Sequence, residues 1–263
     1  MTRVAVAGAA GRMGQAVIRL LAESGMQLVG AIEHGKSAAI GKDAGEAASI
    51  GTAGVEISPD LGSGLLGADC VIDFSHASSF TSILSAAANA KVPLVSGTTG
   101  LDDKALAAID EAAKKIPVLW SPNMSLGVVV LAELVREAVR KLGPSFDVEI
   151  VEVHHRKKAD APSGTAKRLF EAAREGREGL RAIAGRDGMP GARTDDEAAI
   201  LAVRGGDVIG DHTVHLLGHG ERLELTHRAT NRELFARGAI AAARVIAKKA
   251  PGRYTMSDVV KGL

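Results

Sequence analysis

The residues of this chain best suited to chemistry lie in the segment 153–166, with the sequence VHHRKKADAPSGTA. Two histidines, His154 and His155, and three cations precede Ser-Gly-Thr, a pattern typical of a helix start. A helix N-terminus binds a carboxylate through free N–H groups, here aided by the Thr165 hydroxyl. Histidine titrates near neutral pH, and a lysine among other cations is a stronger acid than an isolated one. The segment therefore predicts an anion site capable of proton transfer, with a solvated charged run as the alternative.

A second candidate is the glycine-rich stretch GAAGRMG at residues 8–14, between a short apolar run and a helical pattern. A dinucleotide pyrophosphate needs a tight turn, close backbone approach and a helix N-terminus, and this spacing can provide all three. Glu33 follows about 20 residues later, where an acidic side chain holds ribose hydroxyls. His34 comes next instead of an arginine for a 2′-phosphate, although Lys36 could help. The residues predict a nicotinamide dinucleotide and leave NADH and NADPH both open.

Two further loops follow predicted strands, at 97–100 (GTTG) and 121–124 (SPNM). Ligands of a doubly wound sheet bind outside the carboxyl ends of its strands. We therefore expect both loops to face the cofactor, with ordinary connections as the alternative.

The remaining histidines and the lone cysteine favour structural roles. In a strand over 211–217, His212 and His215 point to opposite faces, which disfavours a metal site that would also use His219 and His227. We therefore predict no metal. Cys70 lies in an apolar strand pattern, which indicates a buried, inert thiol.

The elements that must position these residues change in type along the chain. Up to residue 125, short apolar strands alternate with helical patterns, which predicts a parallel sheet. Beyond it, a strand over 147–154 carries Glu149 and Glu152 as a solvated face, a mobile loop spans 176–197, and strands joined by glycine turns predict hairpins. The fold class is α/β, a Rossmann-like doubly wound parallel sheet plus an α+β domain with a mixed, largely antiparallel sheet.

These patterns predict a dinucleotide-binding domain over 1–125 and a substrate-binding and oligomerisation domain over 126–234. A C-terminal helix region, 235–263, is expected to pack back on the first domain. No prediction is made for the Gly/Ala/Ser-rich stretch 35–67.

Composition excludes several classes of protein. The net charge of +1 gives no reason to expect nucleic-acid or membrane partners. No apolar run approaches a membrane span, and the N-terminus has the pattern of a buried strand rather than a signal peptide. A single cysteine allows no intramolecular disulfide, so we expect a cytoplasmic protein.

Taken together, VAVAGAAGRMG, GTTG, SPNMSLG, EVHHRKKADAPSGTA and GERLELTHRA resemble the 4-hydroxy-tetrahydrodipicolinate reductase (dihydrodipicolinate reductase) family over the whole chain. The histidine segment is highly specific to that family, whereas the glycine turn is not. The resemblance implies NADH- and/or NADPH-dependent reduction of a cyclic dicarboxylate in lysine and diaminopimelate synthesis, by a homotetramer joined through its substrate-domain sheets.

The resemblance also assigns residues. His154 is implied as proton donor or acceptor and Lys158 as proton donor, while His155, Gly164 and Thr165 contact the dicarboxylate. The cofactor residues implied by the family or by position are Gly8, Ala9, Ala10, Gly11, Arg12, Met13, Glu33, His34, Gly97, Thr98, Thr99, Ser121, Pro122, Asn123 and Met124.

Two other functions stay open from the residues alone. One is another NAD(P)-dependent dehydrogenase of an amino-acid pathway, although a semialdehyde dehydrogenase would need a nucleophilic cysteine in a loop, unlike Cys70. The other is a non-catalytic NAD(H)-sensing regulator, for which the chain offers no helix-turn-helix pattern.

Overall fold

The computed structural model describes residues 1–263 and divides into two compact units. The first contains Met1–Ser125 together with Glu233–Leu263, and the second contains Leu126–Arg232. None of the helices has the length and apolar character needed to cross a lipid bilayer.

A seven-stranded parallel sheet forms the centre of the first unit. Its strands are β1 (Arg3–Ala7), β2 (Gln27–Ile32), β3 (Ile57–Ser58), β4 (Cys70–Asp73), β5 (Leu94–Ser96), β6 (Pro117–Trp120) and β12 (Gly252–Tyr254). The spatial order is β12-β6-β5-β4-β1-β2-β3, the order of a Rossmann-type sheet extended by one strand. Residues 4–7 and 70–73 are completely buried, as expected for apolar runs covered on both faces. The predicted Rossmann-like sheet is confirmed.

The helices of this unit begin and end at residues with clear roles. They are α1 (Arg12–Ser24), α2 (Ala44–Ala47), α3 (Leu61–Leu65), α4 (Ala77–Ala90), α5 (Asp103–Ala113), α8 (Glu233–Ile246) and α9 (Met256–Lys261). Helix α1 ends at Gly25, whose φ of 70° only glycine adopts easily. The Asp102 carboxylate caps α5 by accepting from Ala105 N at 2.8 Å. Sequence patterns located α1, α4, α5 and α8, but not the short elements between 35 and 67 or β12.

The second unit is built on a five-stranded sheet. Its elements are α6 (Leu126–Leu142), a 3₁₀ turn (Gly143–Ser145), β7 (Asp147–His154), α7 (Gly164–Gly176), β8 (Arg181–Ile183), β9 (Glu197–Arg204), β10 (Gly210–Leu217) and β11 (Arg222–Ala229). The order is β11-β10-β7-β9-β8, with β10 antiparallel to both β7 and β11, and β9 parallel to β7 and β8. Helices α6 and α7 pack with apolar side chains of the sheet in one core. The predicted mixed sheet is confirmed, but the expectation that it is largely antiparallel was wrong, because two of its four strand pairings are parallel.

Two expectations for the loops of this unit were also wrong. The turn at Gly205 and Gly206 does not join a hairpin, because β9 and β10 pair with opposite edges of β7. Strand β7 has an alternating buried face and takes the central position, which a local turn pattern does not reveal. The predicted mobile loop 176–197 contains β8, and its Arg193 guanidinium bonds to Asp147 at 2.6 Å and Glu149 at 3.0 Å.

Candidate active site

The turn between β1 and α1 is shaped by glycines that no other residue could replace. Gly8 has a φ of 74°, and a Cβ there would lie 2.6 Å from the Phe74 carbonyl oxygen. A Cβ on Gly14 would lie 2.1 Å from the Gly8 carbonyl oxygen, so α1 packs directly on the turn. The backbone N–H groups of Gly8 and Ala9 both donate to the Ile32 carbonyl, at 2.9 and 3.1 Å. The turn is therefore held tightly against the end of β2.

The N-terminus of α1 fits a pyrophosphate. Gly11, at the position preceding the helix, has extended backbone and no side chain to cap it. The N–H groups of Arg12 and Met13, the first helical residues, have no intrahelical acceptors because they precede the first turn's carbonyls. An anion is the partner that such a helix end favours, and a glycine turn lets it approach the backbone. The geometry of residues 8–13 thus suits the group that the sequence predicted there.

Glu33 is fixed at the carboxyl end of β2. One carboxylate oxygen accepts from Ala10 N at 2.9 Å and the other from His34 N at 2.8 Å. These bonds join the acidic side chain to the glycine turn and leave lone pairs for ribose hydroxyls. The exposed His34 accepts from Lys36 N through Nδ1 at 3.3 Å, which leaves Nε2 to carry the proton of the neutral ring.

A buried polar network lies at the carboxyl ends of β4 and β5, and sequence reasoning missed its central residue, Asp73. The Asp73 carboxylate is fully buried and accepts from Ser96 Oγ at 2.7 Å, Thr98 Oγ1 at 2.9 Å and Ser75 N at 2.9 Å. The Trp120 indole N–H donates to the Thr98 carbonyl at 2.8 Å. The sequence does contain a sign of this role, because an aspartate at the end of an otherwise apolar strand needs hydrogen-bond partners when it is buried. The network holds the loop that contains Gly97, Thr98 and the exposed Thr99.

The 121–124 loop is likewise held by its own side chains. Ser121 Oγ donates to the Asn123 carbonyl at 2.7 Å, and the Asn123 side-chain oxygen accepts from Ser125 N at 2.8 Å. Met124 is buried, and Gly238 of α8 lies so close that a Cβ would be 1.7 Å from the Met124 carbonyl oxygen. Pro122 is exposed. The loop follows β6, so both predicted loops lie at the same edge of the parallel sheet as the glycine turn.

In the second unit, His154 is buried at the end of β7 and bound to Glu152. The distance from His154 Nδ1 to Glu152 Oε2 is 2.5 Å. Arg204 of β9 forms a bidentate salt bridge with the same carboxylate, with N–O distances of 2.7 and 2.8 Å. Burial alone would raise the pKa of Glu152, but Arg204 and His154 outweigh it, so the pKa lies below its ordinary value. We call Glu152, His154, Ser163, Arg204 and His212 the histidine cluster.

The prediction that Glu152 lies on a solvated face was wrong. The burial of β7 alternates strictly, and Glu152 and His154 share the core face with Val148 and Ile150. Glu149 and Glu152 are an odd number of positions apart, so a strand must place them on opposite faces. That parity was the signal that could have identified Glu152, whereas nothing local to the strand pointed to Arg204.

Helix α7 begins within this cluster. Its capping residue Ser163 accepts from Ala166 N through Oγ at 3.1 Å, and Ser163 N donates to Glu152 Oε1 at 3.0 Å. Ser163 Oγ also lies 3.0 Å from His212 Nε2. Gly164 and Thr165 are the first two residues of the helix, and a Cβ on Gly164 would meet open space. The predicted anion site is thus a helix N-terminus joined to His154 through Glu152.

The cationic side chains of the segment 153–166 differ in their contacts. Lys158 Nζ donates to Asp160 Oδ1 at 2.8 Å, and this pairing holds the pKa of Asp160 below its usual value. His155 Nε2 lies 3.2 Å from Arg232 Nη2, and partial burial followed by the Arg232 charge lowers the pKa of His155. Arg156 and Lys157 are exposed. Lys158 is therefore the ordered lysine of the segment.

The two histidines of β10 lie on opposite faces of the sheet. His212 is buried on the core face of β10, while His215 is half-buried on the opposite face and lies 3.4 Å from Glu224. Burial, followed by the positive potential of His154, lowers the pKa of His212 to about 4. Cys70 is fully buried, and burial raises the pKa of its thiol. The interpretation of Cys70 as an inert core residue agrees with this geometry.

Comparison with known proteins identifies the family to which the chain is similar. The family model "Dihydrodipicolinate reductase, N-terminus" matches residues 2–124, and "Dihydrodipicolinate reductase, C-terminus" matches residues 127–260. The 4-hydroxy-tetrahydrodipicolinate reductase of Anaeromyxobacter dehalogenans is 52% identical over 99% of this chain and 98% of its own length. The enzyme of the same name from Myxococcus xanthus is 46% identical, over 99% and 98%.

A solved structure shares the fold. The dipicolinate-bound dihydrodipicolinate reductase from Paenisporosarcina sp. TG-14 has a TM-score of 0.76 at 24% identity, covering 97% of each chain. With both family models matched and relatives alike along their full length, the chain belongs to the dihydrodipicolinate reductase family.

Proposed function

We propose that this protein reduces 4-hydroxy-tetrahydrodipicolinate to tetrahydrodipicolinate with NADH or NADPH, in lysine and diaminopimelate biosynthesis. It is an oxidoreductase of the family to which the chain belongs. The observation that carries the proposal is the joining of His154 to the N-terminus of α7 through Glu152, because it puts a proton-transfer group and a carboxylate site in one cluster.

The first unit is proposed to bind the cofactor. Residues 8–13 hold the pyrophosphate at the N-terminus of α1, and the carboxylate of Glu33 holds the adenosine ribose beside His34. Gly97, Thr98 and Thr99, with Ser121, Pro122, Asn123 and Met124, line the nicotinamide side. When bound, the cofactor supplies a hydride from its nicotinamide ring.

The second unit is proposed to bind the cyclic dicarboxylate and to supply the proton. Gly164 and Thr165 hold one carboxylate at the helix N-terminus, and His155 contacts the dicarboxylate as well. Conversion of the substrate removes one water and adds one hydride and one proton. The proton comes from Lys158 or His154, because an ammonium group and a protonated imidazole can each donate one.

The direct test is an assay of nicotinamide absorbance with freshly generated substrate and either cofactor. We expect oxidation of NADH, NADPH or both that depends on the dicarboxylate. Absence of turnover with both cofactors, in protein that binds them, would refute the proposed activity.

We also propose a homotetramer joined through the sheets of the second unit. The sheet face opposite α6 and α7 presents the apolar side chains Leu201, Val203 and Leu217, which are 39%, 48% and 36% exposed. Sedimentation should give about four times the chain mass of 27.1 kDa. A monomer at micromolar concentration would contradict this assembly.

A cytoplasmic location is proposed as well, supported by the buried free thiol of Cys70. Fractionation of cells that produce the protein tests it, and recovery outside the cytoplasm would contradict it.

A further inference from the structure

Glu152 accepts more hydrogen bonds than an ion pair with Arg204 alone would require. Its side chain is fully buried, yet both carboxylate oxygens are shared between partners from three parts of the unit. Oε2 contacts His154 Nδ1 and Arg204 Nη1, while Oε1 contacts Ser163 N and Arg204 Nη2. A buried carboxylate is costly unless all its lone pairs are used, and here they are.

The bond to His154 determines which ring nitrogen is free. An ionised carboxylate only accepts hydrogen bonds, so Nδ1 must carry the proton that lies between His154 and Glu152. That leaves Nε2 as the nitrogen that can gain or lose a proton. Gly210 lies beside it, where a Cβ would be 2.9 Å from Nε2, so the absence of a side chain keeps space at this atom.

The bond to Ser163 positions the other half of the cluster. Ser163 caps α7, and its N–H donates to Glu152 rather than to solvent. The first turn of α7, with Gly164 and Thr165, is therefore anchored to the same carboxylate as His154. A shift of Glu152 would displace the proton-transfer nitrogen and the anion-binding helix end together.

Arg204 completes the arrangement by neutralising the carboxylate. Its Nη2 also donates to the Asp160 carbonyl at 2.6 Å, and the Asp160 side chain accepts from Lys158. One guanidinium thus connects Glu152 to the loop that carries the ordered lysine. The paired charges let Glu152 stay ionised although its side chain is fully buried.

We infer that Glu152 is a positioning residue of the reaction, which fixes the proton of His154 on Nδ1 and aligns the N-terminus of α7 with the His154 Nε2. The inference rests on the proposed function for its catalytic meaning, but its geometric content can be tested without substrate. Glu152 acts through His154 and Ser163 and contacts no reacting atom in this scheme.

The first experiment is a two-bond proton–nitrogen correlation spectrum of the unmodified protein with labelled histidine, with the His154 signals assigned from the His154→Gln variant. Free imidazole favours a proton on Nε2, so a neutral His154 protonated on Nδ1 is the expected signature of Glu152. A neutral His154 protonated on Nε2 would overturn the inference, whatever the enzyme's activity.

The second experiment compares Glu152→Gln with Glu175→Gln. Glu175 also pairs with arginines and lies on α7, but near the far end of the helix and half exposed. We expect Glu152→Gln to lower kcat about 100-fold and to weaken dipicolinate binding about tenfold, with NADH affinity unchanged. Glu175→Gln should change none of these quantities.

A third variant covers the case in which Glu152→Gln fails to fold. Arg204→Lys keeps a cation but loses the bidentate salt bridge to Glu152. We therefore expect a smaller fall in kcat than in Glu152→Gln and a mixture of His154 tautomers. Unchanged kcat and an unchanged His154 spectrum in either folded variant would refute the positioning role. An unmodified enzyme without reductase activity would refute the proposed function instead, because the tautomer result does not depend on turnover.

Discussion

The Thr98 hydroxyl donates a 2.9 Å hydrogen bond to the Asp73 carboxylate, joining the loop after β5 to the end of β4. Both residues are buried, with exposures of 2% and 0%, so the bond has no competition from water. The carboxylate also holds Ser96 and the backbone of Ser75. The loop proposed to line the nicotinamide is therefore positioned by a residue at the end of the neighbouring strand.

Replacing Asp73 with asparagine should loosen this loop. The asparagine oxygen can still accept from Ser75 N, but an N–H₂ group then faces the Ser96 and Thr98 hydroxyls. These hydroxyls lose an ionised acceptor and must rotate to accept from the amide, at a cost of about 1–3 kcal/mol. We expect a lower thermal midpoint and a raised KM for NADH. Asp69→Asn is the matched control, because Asp69 lies at the other end of β4 in a surface pair with Arg3. Equal effects of the two variants on KM would contradict the role of Asp73.

Glu33 should control the choice between cofactors. Its carboxylate is fixed by Ala10 N at the proposed position of the adenosine ribose, where a 2′-phosphate would place further negative charge. Glu33→Gln removes that repulsion, so we expect kcat/KM for NADPH relative to NADH to rise about tenfold. Glu46→Gln, at an exposed position of helix α2 in the same unit, should leave the ratio unchanged. A ratio unaffected by Glu33→Gln would contradict this role of Glu33.

Loss of either proposed proton-transfer group should slow turnover without affecting cofactor binding. We expect Lys158→Ala and His154→Ala to lower kcat by about 10²–10⁴. The affinity for NADH, measured by fluorescence titration, should stay constant. The residues proposed to bind its pyrophosphate, 8–13, lie in the first unit, whereas Lys158 and His154 lie in the second. Lys157→Ala provides the control, since the neighbouring Lys157 is exposed. Near-normal turnover in both variants would show that neither residue transfers the proton.

Sequence patterns predicted those parts of the fold and site that are local. The β1–α1 turn could be identified because Gly8, Gly14 and Glu33 act through neighbours in one strand–helix–strand unit. Arg204 and His212 could not, because they reach the histidine cluster only through the pairing of β9 and β10 with opposite edges of β7. The glycine turn at residues 205–206 even suggested the wrong pairing. Short elements such as β12 were missed because three residues carry too little periodicity.

The buried His212 should make the protein less stable as the pH falls below neutrality. In the unfolded chain its pKa is near the ordinary value of 6.5, whereas in the fold burial lowers it to about 4. Between these values the unfolded state binds a proton that the folded state excludes, so acidification favours unfolding. The free energy of unfolding therefore keeps its full value above pH 6.5 and decreases as the pH falls towards 4. For this residue alone the loss between pH 7 and pH 5 is about 2 kcal/mol.

The variant His212→Gln isolates this effect. Glutamine can keep a hydrogen bond to Ser163 Oγ but does not titrate, so the variant should lose less stability than the unmodified protein between pH 7 and pH 5. Urea unfolding followed by circular dichroism at both pH values measures the difference. The pKa of His227 is also lowered by burial, but His227 is present in both proteins, so its contribution cancels in the comparison. Equal pH dependence of the two proteins would mean that His212 accepts its proton within the folded second unit, with Glu152 close enough to compensate the charge.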